Sequence, residues 1–282
     1  MEKRKKIITA VVVVVLLVGT YMIYQYLNFV SSDNAQVNAN SVLIASKVAG
    51  YITKVNVEEG QKVKAGDVLV EIDERDYQNN LTQAKGELAS NEARRVDAEK
   101  NYKRIADLFR QSAVPQQQFD QATANYNSVR AQYDSLAAAV AQAQLNLENT
   151  KIRAPSDGFI AKKSAEIGQL AAPGTPLIGF VDSHARWVIA NLKETELDGV
   201  KVGNSVEMSI DAIPSKTFHG KVESIFAATG ATFTLLPPDN ATGNFTKVIQ
   251  RVPVRISLDN LTPDDIEKLR AGLSVDVKIR IH

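Results

Sequence analysis

The residues that could do chemistry are few and scattered. The histidines, His184, His219 and His282, stand far apart, without the short spacing that lets two imidazoles share a metal ion. No cysteine occurs, so a thiolate metal site, a cysteine nucleophile, a disulfide framework and a lipid-carrying cysteine are all excluded. The chain has no glycine loop of the phosphate-binding pattern and no Gly-x-Ser-x-Gly elbow. The carboxylates Glu58, Glu59, Asp73 and Asp76 read as solvated faces and helix N-terminal charges, with Asp73 placed to cap a helix. The expected reading is a non-enzyme that needs no cofactor and no metal. With 33 basic and 32 acidic residues, bulk charge makes no case for nucleic acid.

The elements around these residues are more informative. MEKRKK, residues 1–6, holds four cations and is followed by IITAVVVVVLLVGTYMIYQYL, residues 7–27. That uncharged run is about the length a helix needs to cross a bilayer. Ile7, Val11 and Leu16 would face lipid, and Tyr21 and Tyr24 sit where an aromatic belt meets the interface. The cations keep residues 1–6 cytoplasmic, so the rest of the chain is expected outside the cytoplasmic membrane.

Two later segments share a spacing. Gly50, Gly60 and Gly66 fall ten and six residues apart, as do Gly158, Gly168 and Gly174. GYITKVNVEEGQKVKAGDVLVEID thus parallels GFIAKKSAEIGQLAAPGTPLIGFVD. Each half alternates apolar positions, such as Ile52, Val55 and Val57, and has one face to bury. Together the halves are expected to close a small β-sandwich.

Between them lies a helical pattern. Leu81, Ala84, Leu88 and Asn91 step by three and four, and Ala98, Tyr102, Ile105 and Phe109 resume the step. After Pro115, the run Phe119, Ala122, Tyr126, Val129, Tyr133, Leu136, Val140, Ala143, Leu147 keeps the spacing unbroken. The proline marks the turn of an antiparallel coiled-coil hairpin. Such a hairpin reaches far from any core it could help bury, which points to a tip that docks a partner.

The paired halves resemble a biotinyl/lipoyl domain, whose hairpin turn carries a modified lysine in a Glu-x-Asp-Lys-Ala context. Here the turn reads Glu71-Ile72-Asp73-Glu74-Arg75, so no lipoyl or biotin group can be attached. A lipoyl-like pair interrupted by a coiled coil behind a membrane anchor resembles the HlyD-type membrane fusion proteins, the periplasmic adaptors of Gram-negative efflux and secretion systems. The run TGATFTLLPPDNATGNFTKVIQRVPVRI further resembles a signature of the EmrA-like adaptors, with Pro237, Pro238, Asn240, Thr242, Gly243 and Asn244 at its centre.

The resemblance implies a mixed α and β, elongated multidomain protein with five parts. These are a cytoplasmic tail (1–6), a transmembrane anchor (7–27), a split lipoyl-like sandwich (44–74 plus 151–182), the hairpin (75–150) and a small antiparallel β-barrel (36–43 plus 183–282). Pro253 should place its strand at an edge. The implied partners are an inner-membrane transporter of the major-facilitator drug:proton antiporter class, an outer-membrane TolC-like channel, and further copies of the chain in a ring. Channel docking falls on the tip residues Arg104, Leu108, Gln111, Ser112 and Pro115. The family's tip pattern Arg-x3-Leu-x6-Ser is matched by Arg104 and Leu108, but Pro115 stands in place of the serine. Alternatives are an adaptor for an ABC or aromatic-acid exporter, and a structural envelope tether.

Overall fold

The computed structural model describes residues 28–229 and 249–281, together with residues 16, 19 and 20. Of the expected anchor residues only Leu16 falls among these; Ile7, Val11, Tyr21 and Tyr24 lie outside them, as does the whole of the Pro237–Asn244 loop. Among the described residues no helix is long and apolar enough to cross a membrane. The chain divides into two compact units, one of residues 1–40 and 182–282, the other of residues 41–181.

The second unit contains the glycine repeat. Its strands are β2 (Gly50–Val55), β3 (Lys62–Val63), β4 (Val68–Ile72), β5 (Lys151–Arg153), β6 (Gly158–Lys163) and β7 (Leu170–Ala171). One sheet runs β5-β4-β2-β7, while β3 pairs with β6. The two halves therefore exchange strands: Tyr51 of the first half faces Leu170 of the second, and Lys62 faces Phe159. Their inward positions, among them Ile52, Leu69, Ile72, Ile160, Leu177 and Phe180, form one buried core. The repeat glycines serve two purposes. Gly60 and its counterpart Gly168 turn with φ of 82° and 86°, a region costly for a residue with a Cβ. Gly158 instead lies against the wall of the core, where a Cβ would come within 2.4 Å of the Phe180 ring and the Val181 carbonyl.

Two helices interrupt this unit: α1 (Arg75–Arg110) of 36 residues and α2 (Gln116–Glu148) of 33. At 1.5 Å per residue they are about 54 and 50 Å long. Asp73 was expected as the cap of α1, but Glu74 occupies the cap position, without a side-chain capping bond. Asp73 instead accepts from the Arg75 backbone and from its guanidinium, which together hold its carboxyl down to about 2.

The first unit is built on β1 (Phe29–Ala45), β8 (Pro176–Lys193), β9 (Ser205–Ile210), β10 (Thr217–Ile225), β11 (Arg251–Leu258) and β12 (Ser274–Arg280). They follow the order β1-β12-β9-β10-β11-β8, and β1 also pairs with β8, so the sheet closes into a barrel. Two expectations need correction. The strand that enters the barrel starts earlier than the expected 36–43 segment: β1 pairs with β12 from Phe29 to Gln36, and Val37 lies in the barrel core. And Pro253 lies on no edge, because β11 sits between β10 and β8, with Pro253 opposite Asn191. On the β10 side Pro253 still accepts the Phe226 amide at 3.0 Å but has no N–H to return, and the pairing with β10 stops at this point.

A short helix, α3 (Pro263–Lys268), closes over the barrel. Its capping box joins Thr262 and Asp265 reciprocally. Asp265 is buried and also receives Lys216 Nζ at 2.6 and 2.7 Å. Lys216, then Thr262, hold this carboxyl down to about 2. Since the folded value lies below the unfolded one, the contribution is full above about pH 4 and fades as the pH falls towards about 2. Asp265→Asn should therefore lower stability at neutral pH while flattening the loss between about pH 4 and about pH 2. Thermal unfolding of both proteins across that range, with equal pH slopes, would refute the assignment.

Candidate functional site: the helical hairpin

The hairpin is fixed at its root by both halves of the repeat. β4 and β5 pair through Glu71 and Lys151, and the Ile72 amide donates to the Thr150 carbonyl at 2.9 Å. Glu74, at the position where a carrier domain has its lysine, forms an ion pair with Lys151 at 3.2 Å. Tyr77 donates its hydroxyl to the Ala49 carbonyl at 2.6 Å and packs on the sandwich core. The site that presents a cofactor in carrier domains is here the junction of two helices with a sheet.

Along the shaft the heptad step is continuous, although the apolar residues break between Asn91 and Ala98. Arg95 fills it, four residues after Asn91 and three before Ala98. Its guanidinium lies 5.1 Å from the Tyr133 ring and bonds Glu92 at 2.7 and 2.8 Å. Hydrogen bonding to Glu92 is also the main cause of its raised pKa. Asn91 beside it is buried, and its Oδ1 has no hydrogen-bond partner. A polar level thus interrupts the apolar seam, a feature that in coiled coils selects register at some expense of stability. Its sequence signal was the spacing itself, masked by the residue type.

Towards the tip the seam becomes aromatic. Tyr102 and Tyr126 stack with centroids 5.2 Å apart, Phe109 and Phe119 at 5.0 Å, and Tyr102 meets Phe119 at 6.0 Å. The chain reverses immediately beyond this ladder. The Ser112 amide donates to the Phe109 carbonyl and the Ala113 amide to the Leu108 carbonyl, both at 2.9 Å, with Ser112 at φ 57°. Pro115 then starts α2 from an extended conformation, without a side-chain cap. Of the expected tip residues, Arg104, Gln111, Ser112 and Pro115 are exposed and Leu108 is half-buried. Arg104 is held along the helix by Asn101 Oδ1 at 2.8 Å.

A family model for the RND MFP barrel-sandwich hybrid domain matches residues 40–183, half of the chain. The chain belongs to the HlyD-type membrane fusion proteins, in the EmrA-like group of efflux adaptors. A second model, the AAEA-like beta-barrel domain, matches residues 185–280. Among relatives, the multidrug export protein EmrA of Haemophilus influenzae is 33% identical, over 99% of this chain and 84% of its own length. Among solved structures, a MacA chimera carrying the α-hairpin of Pseudomonas aeruginosa MexA is 27% identical with a TM-score of 0.63, covering 90% of this chain and 82% of that one. The periplasmic adaptor protein EmrA shares the fold with a TM-score of 0.50 at 19% identity, covering 90% and 99%. Neither family model describes an enzyme.

Proposed function

We propose that the chain is the periplasmic adaptor subunit of a tripartite efflux pump, linking an inner-membrane transporter to an outer-membrane TolC-like channel. The observation that carries this reading is the hairpin: a shaft of about 50 Å, rooted in both halves of the repeat, ending in a short turn whose polar side chains are exposed. Beyond Tyr77 at its root, such an element adds nothing to the core of the unit that bears it, and its free end is available to a partner. The likeness to multidrug export proteins along almost the whole chain favours an efflux role over an envelope tether.

In this reading residues 7–27 cross the inner membrane once, residues 1–6 stay cytoplasmic, and residues 75–150 reach towards the channel. Arg104, Leu108, Gln111 and Ser112 form the docking surface, with Pro115 setting the direction of the second helix. The energy source is a drug:proton antiporter of the major-facilitator class, and copies of the chain assemble as a ring around the conduit. A ring requires heterologous contacts that close.

Crosslinked pull-down from whole envelopes tests this. An inner-membrane transporter should be recovered with the native chain and with Arg104→Asp or Leu108→Ser alike. An outer-membrane channel should be recovered with the native tip and lost with the variants. Recovery of no transporter would leave only the tether.

A further inference from the structure

The barrel has two chemically different rims. The antiparallel registers set Phe29 opposite Arg280, Ile279 opposite Val206, Lys221 opposite Ser205, Ile225 opposite Val254, and Arg251 opposite Lys193. One rim therefore gathers the start of β1, the end of β12, the turn before β9, the end of β10 and the start of β11. Within residues 28–40 and 182–281, the described residues of this unit leave three large apolar side chains exposed: Val202 at 66%, Phe226 at 45% and Ile249 at 51%; Val42 and Leu43, also exposed, lie further along β1 in the other unit. All three lie on that rim. The opposite rim, with Trp187, Leu258 and the turn at Ser215, has none of them.

The same rim is where the chain arrives from residues 7–27. The Asn28 carbonyl accepts the Ile281 amide at 2.9 Å, and β1 begins at the next residue. Since one residue spans less than about 4 Å, the rim stands directly over the end of the uncharged run. Lys201 and Arg251 are exposed there, and Lys278 lies 4.4 Å over the Phe29 ring. The acidic Glu194 and Asp198 share the rim, so its charge is mixed.

We infer that this rim is a seat on the bilayer. Val202, Phe226 and Ile249 enter the boundary between headgroups and acyl chains, and Lys201 and Arg251 meet lipid phosphates. The inference rests on the reading of residues 7–27 as a membrane span. Apolar side chains carried by separate turns around one rim suit a plane, and a bilayer supplies that plane at the one place where the chain is bound to meet it. Basic side chains among them can extend their charge into the phosphate layer while their stems cover apolar surface.

Because the chain has no cysteine, single-cysteine variants of the full chain can carry an environment-sensitive fluorophore. Leu16→Cys, Val202→Cys and Ser215→Cys would be reconstituted in phosphatidylethanolamine/phosphatidylglycerol vesicles free of other proteins, with a lipid quencher placed near the glycerol level. Quenching at Val202 should be several times that at Ser215, and Leu16 should be shielded from aqueous iodide. If Leu16 is shielded while Val202 behaves like Ser215, the seat is overturned and the span stands. If Leu16 is open to iodide, the span fails and the seat with it. Shielding of Val202 in native envelopes but not in these vesicles would overturn the lipid assignment in favour of a protein contact.

Discussion

Gly158→Ala is expected to destabilise the lipoyl-like unit by about 3 kcal/mol, the upper part of the usual range for overpacking a core. The added Cβ would lie 2.4 Å from both Phe180 Cζ and the Val181 carbonyl oxygen. Phe180 is 2% exposed in the packed sandwich core, while the carbonyl belongs to the strand that continues past it. Gly168→Ala, in the same repeat, has no atom within 4 Å of the new Cβ and bears only the strain of φ 86°. Its expected cost is about 1–2 kcal/mol. Hydrogen exchange of the β6 amides in the full chain separates the two. Equal acceleration in both variants would show that packing against Phe180 is not what requires glycine at 158.

Replacing both Leu136 and Val140 with glycine is expected to open the hairpin without unfolding the barrel. Each glycine costs about 1 kcal/mol in helix propensity. Each lost side chain removes about 1 kcal/mol more, discounting full burial because both are half-buried. The sum, about 4 kcal/mol, is large for this element. Among its described residues the buried ones are Leu81, Asn91, Ala98 and Ile105 in α1 and Ala122 in α2. Few buried side chains leave little margin, and one of these is an asparagine with an unpaired oxygen. Limited proteolysis should then cut within residues 75–150, while the fluorescence of Trp187, the single tryptophan, stays native because it reports the barrel. Unchanged cleavage of that segment would contradict the coiled-coil seam. Ala131→Gly on the exposed face should cost only the propensity term, about 1 kcal/mol.

The local patterns were legible without coordinates. Glycines ten and six residues apart, a three-four apolar step, one proline between two helical runs and a glutamate in place of a carrier lysine are all statements about near neighbours in sequence. The spacings follow from the period of a helix or the turn preference of glycine, and the glutamate was read from the resemblance to a carrier domain. They sufficed for a strand-rich repeat interrupted by a hairpin and for the family resemblance. The place of the turn was legible for the same reason, since a turn between helices is a local event, whereas Arg104 and Leu108 were named from the family's tip pattern.

What tertiary structure decided is long-range. Arg95 has no place in an apolar three-four step, yet it occupies a seam position because Tyr133, 38 residues later, offers its ring. Pro253 read as an edge residue, but pairing of its strand with both β10 and β8 placed it in the interior of the sheet order. Asp265 and Lys216 pair across 49 residues. The aromatic ladder of Phe109, Phe119, Tyr102 and Tyr126 depends on the register of two antiparallel helices, which neither helix contains by itself. Val202, Phe226 and Ile249 share a rim only through the registers of five strand pairs. Periodicity tells each residue which face of its own element it occupies, and the partner across that face is chosen by chain closure and packing, which the sequence of one element does not contain.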